Sequence, residues 1–136
     1  MKKKNLTLLL IVFTISCTFF SCKKDNPQPG NNSGLTKVEY QIDTISNSFV
    51  NITYIDSTGT PVVLTHASQF PGGLKTIYVS SKPFTAKITT EVNNQTNTPL
   101  HYSLVILVDG ISKKVVADTA LSYTTSTITS AQYTVQ

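Results

Sequence analysis

The chain has 136 residues, a mean hydropathy of +0.02, 11 Lys, no Arg and 7 acidic residues, for a formal net charge of +4. Three of the lysines are Lys2, Lys3 and Lys4; from Cys22 onward 8 Lys face 7 acids, or +1. This balance argues against a nucleic-acid partner, which wants a basic stripe, and the lack of Arg argues against bidentate recognition of phosphate or carboxylate.

The first 25 residues carry an address. Lys2, Lys3 and Lys4 form a positive start, and Leu6 to Phe20 form an apolar run broken only by Thr, Ser and Cys17. A transmembrane helix needs about 20 apolar residues, so the run reads as a secretory signal. Ser21-Cys22 then puts a thiol behind a small residue, where a diacylglyceryl group is accepted before cleavage. Cys17 is the rival, but cleavage there leaves the apolar Thr18-Phe19-Phe20 on the mature chain. A Cys17–Cys22 disulfide would staple nothing in the domain, which has no other cysteine. An uncleaved anchor helix is the remaining alternative. The expected organisation is a signal peptide over 1–21, a lipidated Cys22 with a linker over 22–34, and a domain over 35–136. Diacyl and amide-linked chains together hold a protein to a membrane far better than one chain.

Ser21-Cys22-Lys23-Lys24-Asp25 resembles lipoprotein starts common in Bacteroidota. In part of that phylum a Lys followed by acidic residues after the cysteine acts as a surface-export signal. Lys23, Lys24 and Asp25 are the matching residues here, with one acid where the signal has several. The resemblance implies a lipid anchor in the cell envelope, at the outer membrane, facing either the periplasm or the surface.

Asn26 to Gly34, NPQPGNNSG, contains no apolar residue and reads as a flexible tether. Beyond it Thr, Val, Ile and Tyr dominate, and apolar residues alternate rather than recur at helical spacing. Val38, Tyr40 and Ile42 share a face of a first strand; Val50, Ile52 and Tyr54 share a face of a second. Asp56 to Gly59 is a turn, Pro61 to Thr65 an edge-compatible third strand, and Ser68 to Gly73 a loop. Leu74 to Ser80 is a fourth strand, with Ile77 and Val79 opposite Leu74 and Tyr78. Phe84, Ala86, Ile88, Thr90 and Val92 alternate along a fifth, and Asn93 to Pro99 is a polar loop. His101 to Val108 is apolar on both faces towards its end and reads as the central, most buried strand. Asp109-Gly110 is a hairpin signal, Ile111 to Ala117 returns, and Thr127 to Val135 closes, with Ile128 and Tyr133 on opposite faces. The pattern predicts an all-β, immunoglobulin-like antiparallel sandwich of seven or eight strands, with a small barrel as the alternative.

Catalytic signatures are absent. His66 and His101 are the only histidines and read as exposed strand-end residues; with no cysteine in the domain a metal site lacks ligands, and no cofactor is implied. The acids Glu39, Asp43, Asp56, Glu91, Asp109 and Asp118 are dispersed, with Asp56 and Asp109 in turns. There is no G-x-S-x-G elbow, and Gly72-Gly73 reads as a turn. The best binding candidates are the tyrosines, mostly core at this spacing with one or two facing outward.

Val38-x-Tyr40-x-Ile42, Val50-Asn51-Ile52-Thr53-Tyr54, Gly59, Phe70-Pro71 and Val108-Asp109-Gly110, in that order, resemble the extracytoplasmic domain of the MmpS family. The resemblance implies an immunoglobulin-like fold and an accessory role beside large RND-type exporters. Gly72 stands where the family usually has Trp, and the family's anchor is a transmembrane helix. The expected function is therefore a non-enzymatic, membrane-anchored module, accessory to an envelope transport complex; the alternative is a surface module for glycans or host and partner proteins. Tyr side chains beside Asn93-Asn94-Gln95 would suit sugars.

Overall fold

The computed structural model describes residues 34–136. Cys22, Lys23, Lys24, Asp25, the signal segment and nearly all of the linker lie outside those residues.

Eight strands form: β1 (Thr36–Ile42), β2 (Phe49–Ile55), β3 (Pro61–Leu64), β4 (Leu74–Val79), β5 (Phe84–Asn94), β6 (Leu100–Val108), β7 (Ile111–Ala120) and β8 (Thr124–Val135). They make two four-stranded antiparallel sheets, β4-β1-β6-β7 and β3-β2-β5-β8. The immunoglobulin-like sandwich is thus the architecture, and the closed barrel is not. Only β2–β3 and β6–β7 are hairpins within a sheet; every other connection crosses between sheets.

Each strand sends alternate side chains inward, as a pleated backbone requires. Val38, Tyr40 and Ile42 from β1 and Leu104, Ile106 and Val108 from β6 meet Ile52 and Tyr54 from β2 and Ala86, Ile88 and Val92 from β5. Tyr40 stays in this apolar layer because its hydroxyl donates to the Ile55 carbonyl at 2.7 Å; burial pushes its phenol pKa well up. Phe49 meets Tyr102 edge to face, with ring centroids 5.2 Å apart.

Several expectations need correction. A register shift between Phe49 and Asn51 turns Phe49 inward, so Val50 does not share the buried face of Ile52 and Tyr54. Alternation cannot anticipate this, because one extra residue reverses the parity beyond it. β6 is interior to its sheet, but Val105 and Leu107 on its outer face are only half-buried, since nothing in the domain covers that face. β5 continues to Asn94, which is buried, inside the stretch read as loop. His66 lies beyond β3 and precedes a 3-10 turn, Ala67–Gln69. The loop before β4 also contributes a core residue, Phe70.

The turns follow their chemistry. Asp109 (φ 51°) and Gly110 (φ 77°) make the left-handed two-residue hairpin. The Asp109 carboxylate also accepts the Lys37 amide at 3.0 Å, tying the hairpin to β1. Asp56 accepts from the Thr58 hydroxyl and from the Thr58 and Thr60 amides, which holds its carboxyl below its ordinary pKa.

The registers sort the connections into two groups. The loops 43–48, 65–73, 95–99 and 121–123 lie at one end of the sandwich. Thr36, where β1 begins, lies at the opposite end with 56–60, 80–83 and 109–110.

Gly73 is the tightest backbone approach. Its φ is +67°, and a Cβ there would stand 2.3 Å from the Ile42 carbonyl oxygen. Gly72 has φ +64° but open space around it. Gly73→Ala is expected to destabilise by about 2–4 kcal/mol, and Gly72→Ala by about 1 kcal/mol, from left-handed strain alone. Denaturant midpoints of the two variants check this ranking.

Candidate functional site

The end of the sandwich remote from Thr36 is organised by one buried polar side chain. Asn94, 1% exposed, closes β5. Its Nδ2 donates to the carbonyls of Thr98 (2.9 Å), Ala120 (3.0 Å) and Leu121 (3.2 Å). Its Oδ1 accepts from the Thr96 hydroxyl at 2.7 Å and the Thr96 amide at 3.2 Å. One amide thereby supplies partners to the 95–99 loop and the 121–123 turn together. The unbroken alternation of β5 carries it inward, and the extra residue at the register shift between Val92 and Asn94 lies on β8. A buried amide left partly unpaired would be costly, so this set of bonds fixes both loops.

The fixed loops display an aromatic side chain. Tyr123 has φ +56°, a region that non-glycine residues enter at a cost of about 1 kcal/mol or more. Its amide donates to the Thr96 carbonyl at 3.2 Å. Its side chain is 68% exposed, and that of Leu121 is 64% exposed. Around them stand Gln95, which contacts Asn93 and donates to the Thr124 carbonyl, and the hydroxyl residues Thr96, Ser122 and Thr125. Neither 93–98 nor 121–127 contains a charged residue. The tip is therefore neutral, with an apolar centre and a rim of amides and hydroxyls.

Beside this tip an open depression of about 690 Å³ lies against the outer side of β6 and β7, lined by Asp43, His101, Ser103, Val115 and Thr119 among others. The Asp43 carboxylate accepts from the Ser103 amide and hydroxyl, both at 2.6 Å. His101 Nδ1 is 2.8 Å from the Thr119 hydroxyl. Asp118, at the same depression, accepts from the Thr129 hydroxyl, which is 2.7 Å from the buried Tyr102 hydroxyl. The tertiary structure thus gathers one of the two histidines and two acids that are dispersed in the chain. They do not make a nucleophile relay, because Ser103 is bonded to Asp43 and His101 to Thr119. Nor does an open depression exclude water, as acid–base chemistry on two carboxylates would want. His66, Glu39, Asp56, Glu91 and Asp109 lie elsewhere. Among the described residues no group of three or more His, Cys, Asp or Glu is placed to hold a metal ion.

Of the six tyrosines, Tyr40, Tyr54 and Tyr102 are buried, Tyr133 is half-buried, and Tyr78 and Tyr123 face outward. Asn94 corrects the sugar-facing reading of Asn93-Asn94-Gln95: its amide is consumed inside the protein. Alternation extended by one more step, from Val92 to Asn94, would have marked it as inward-facing.

Burial of Asp43 opposes its ionisation, but the Ser103 hydroxyl and amide prevail and hold its carboxyl below its ordinary value. A depressed folded pKa gives stability that is present above the unfolded value of about 3.9 and is lost as pH falls through the folded one. Ser103→Ala is expected to raise the Asp43 pKa towards the ordinary carboxylate range, as followed by carboxyl NMR shifts against pH. Tyr123→Asn is expected to leave stability unchanged or raise it by up to about 1 kcal/mol, because Asn tolerates left-handed backbone. Asn94→Ala is expected to cost about 2 kcal/mol or more and to speed amide exchange in 95–99 and 121–123. Denaturant melts and hydrogen exchange read these two.

No family model and no curated protein matches this chain. Among solved structures it is similar to one from Parabacteroides distasonis described as the NMR structure of the calcium-bound form of a protein, with 13% identity, a TM-score of 0.49, and 80% of this chain and 98% of that chain covered.

Proposed function

We propose that this protein is a non-enzymatic envelope lipoprotein, anchored through Cys22, whose domain is the binding or accessory module of an envelope transport complex. The observation that carries the binding role is Tyr123. An exposed aromatic side chain held in a strained backbone conformation, on loops fixed by a fully bonded buried amide, contributes nothing to the core. Strain kept at an exposed residue points to use there. A rigid aromatic anchor loses little entropy on contact, which is the property of binding hot spots.

The position of the tip suits a tethered module. The linker leads into Thr36, and Tyr123 lies at the other end of the sandwich. The chain enters the domain at the end opposite Tyr123, and confinement to one membrane raises the effective concentration of partners there. The accessory reading draws on the MmpS-like order of motifs and on the outer face of the β4-β1-β6-β7 sheet, where Leu74, Tyr78 and Val115 are exposed. The alternative, a surface module that takes neutral glycans, is favoured by the composition of the tip. An aromatic face beside Gln95 and several hydroxyls, without charge, matches the apolar faces and hydroxyls of a sugar ring.

The test uses the full-length protein in its own cells. Cys22→Ala is expected to move it from the membrane to the soluble fraction. A photo-crosslinking residue at position 123 is expected to capture its partner, and one at position 58, at the opposite end, is not. Capture of an exporter component, with the domain protected from added protease, supports the accessory reading. Protease removal from intact cells, with glycan binding that falls about ten-fold or more in Tyr123→Ala, supports the alternative. Equal capture from positions 58 and 123, or membrane retention of Cys22→Ala, overturns the proposal.

A further inference from the structure

Among the described residues four strands have an edge with no partner strand: β3, β4, β7 and β8. An open edge offers unpaired backbone groups to any passing strand, and proteins blunt such edges with shortness, charge, proline or bulges. Three of the four follow that rule. β3 has four residues and begins at Pro61. β4 has six residues and carries Lys75. β7 carries Lys113 and Lys114 in its exposed half.

β8 does not follow it. It is the longest strand, with 12 residues, and TTSTITSAQYTV contains no charge, no proline and no glycine. The register shift against β5 falls at its first residues, and pairing is regular from Thr127 to Val135. Its outward residues Ile128, Ser130, Gln132 and Thr134 are exposed, Ile128 to 69%. Thr, Ile, Tyr and Val are strand formers, so the segment holds an extended shape well. This combination is what the other three edges avoid.

We infer that β8 is a pairing edge for a second copy of this chain, joined antiparallel about a two-fold axis through β8. The joined sheet would run β3-β2-β5-β8-β8-β5-β2-β3. Charge selects the occupant. Homotypic pairing of β8 sets neutral residues against neutral residues in every register, whereas pairing through β7 brings Lys113 and Lys114 together in the registers centred near them. A charged foreign strand gains no complementary partner on β8. The outer surface also continues across the seam. Thr89 and Ser130 already form a cross-strand hydroxyl pair at 3.0 Å, and a second β8 would set a further hydroxyl, amide or Ile128 side chain beside Ser130. The inference rests on the edge alone and stands apart from the tip and its partner.

Single cysteines at positions 128, 130, 132 and 134, in the full-length chain in membranes, test it under mild oxidation, with Lys113→Cys on β7 as the comparison. In a two-fold antiparallel pair only the residue near the axis faces its own copy, so one position is expected to give a maximum of disulfide-linked dimer that falls off on either side. A Lys substituted at that position is expected to weaken the dimer about ten-fold, by opposing like charges. Its far-ultraviolet circular dichroism should be unchanged, because the side chain points to solvent. Dimer yields no higher than for Lys113→Cys, or equal at all four positions, overturn the inference. So does a detergent-solubilised wild-type chain that stays monomeric at every concentration reached.

Discussion

The domain has no cysteine, so it has only the space between its sheets to hold it together. That constraint governs the rest. Every strand must keep alternate side chains in one layer about 10 Å thick. Where β2 departs from strict alternation, it does so by a register shift that restores the layer and turns Phe49 inward; β5 keeps its alternation to the end and so carries Asn94 inward. Most polar groups that enter the layer have partners, as the Tyr40 hydroxyl does at Ile55 and the Tyr102 hydroxyl at Thr129; the Thr90 hydroxyl is the exception among the described residues.

Asn94 turns this constraint into a surface. An amide carried into the layer must be satisfied there, and the acceptors within reach are the carbonyls of two loops. Once those loops are bonded to it, their backbone has little freedom left. Tyr123 can then be held in a left-handed conformation that a free loop would relax. The exposed aromatic at the tip is thus supported from the inside of the sandwich.

The outer surfaces divide along similar lines. The outer face of the β4-β1-β6-β7 sheet carries exposed apolar side chains, while that of the β3-β2-β5-β8 sheet is mostly hydroxyl and amide, with Val63 and Ile128 standing out. Edges β3, β4 and β7 are guarded and β8 is not. A domain that joins a partner through its tip and another copy through its edge would use separate surfaces for the two, so neither contact need disturb the other.

Much of this was legible in the chain. The seven or eight strands, the Asp109-Gly110 hairpin, Pro61 at the start of an edge strand and the opposite faces of Ile128 and Tyr133 all follow from alternation and turn chemistry, which act between residues close in sequence. Local pattern failed at Val50, where a register shift fixed by the partner strand reverses the parity, and at Asn94, where polar composition read as loop although the alternation of β5 continues. The sequence by itself determined the sandwich, and its first 25 residues raised the expectation of a lipid anchor. Only the tertiary structure decided which residues share a surface. Asp43 meets Ser103, His101 meets Thr119, and Asn94 reaches Ala120 and Leu121, because strands distant in sequence are neighbours in a sheet or across the layer. The physical reason is that alternation says which side of a strand a residue occupies, whereas strand order and register decide what stands beside it.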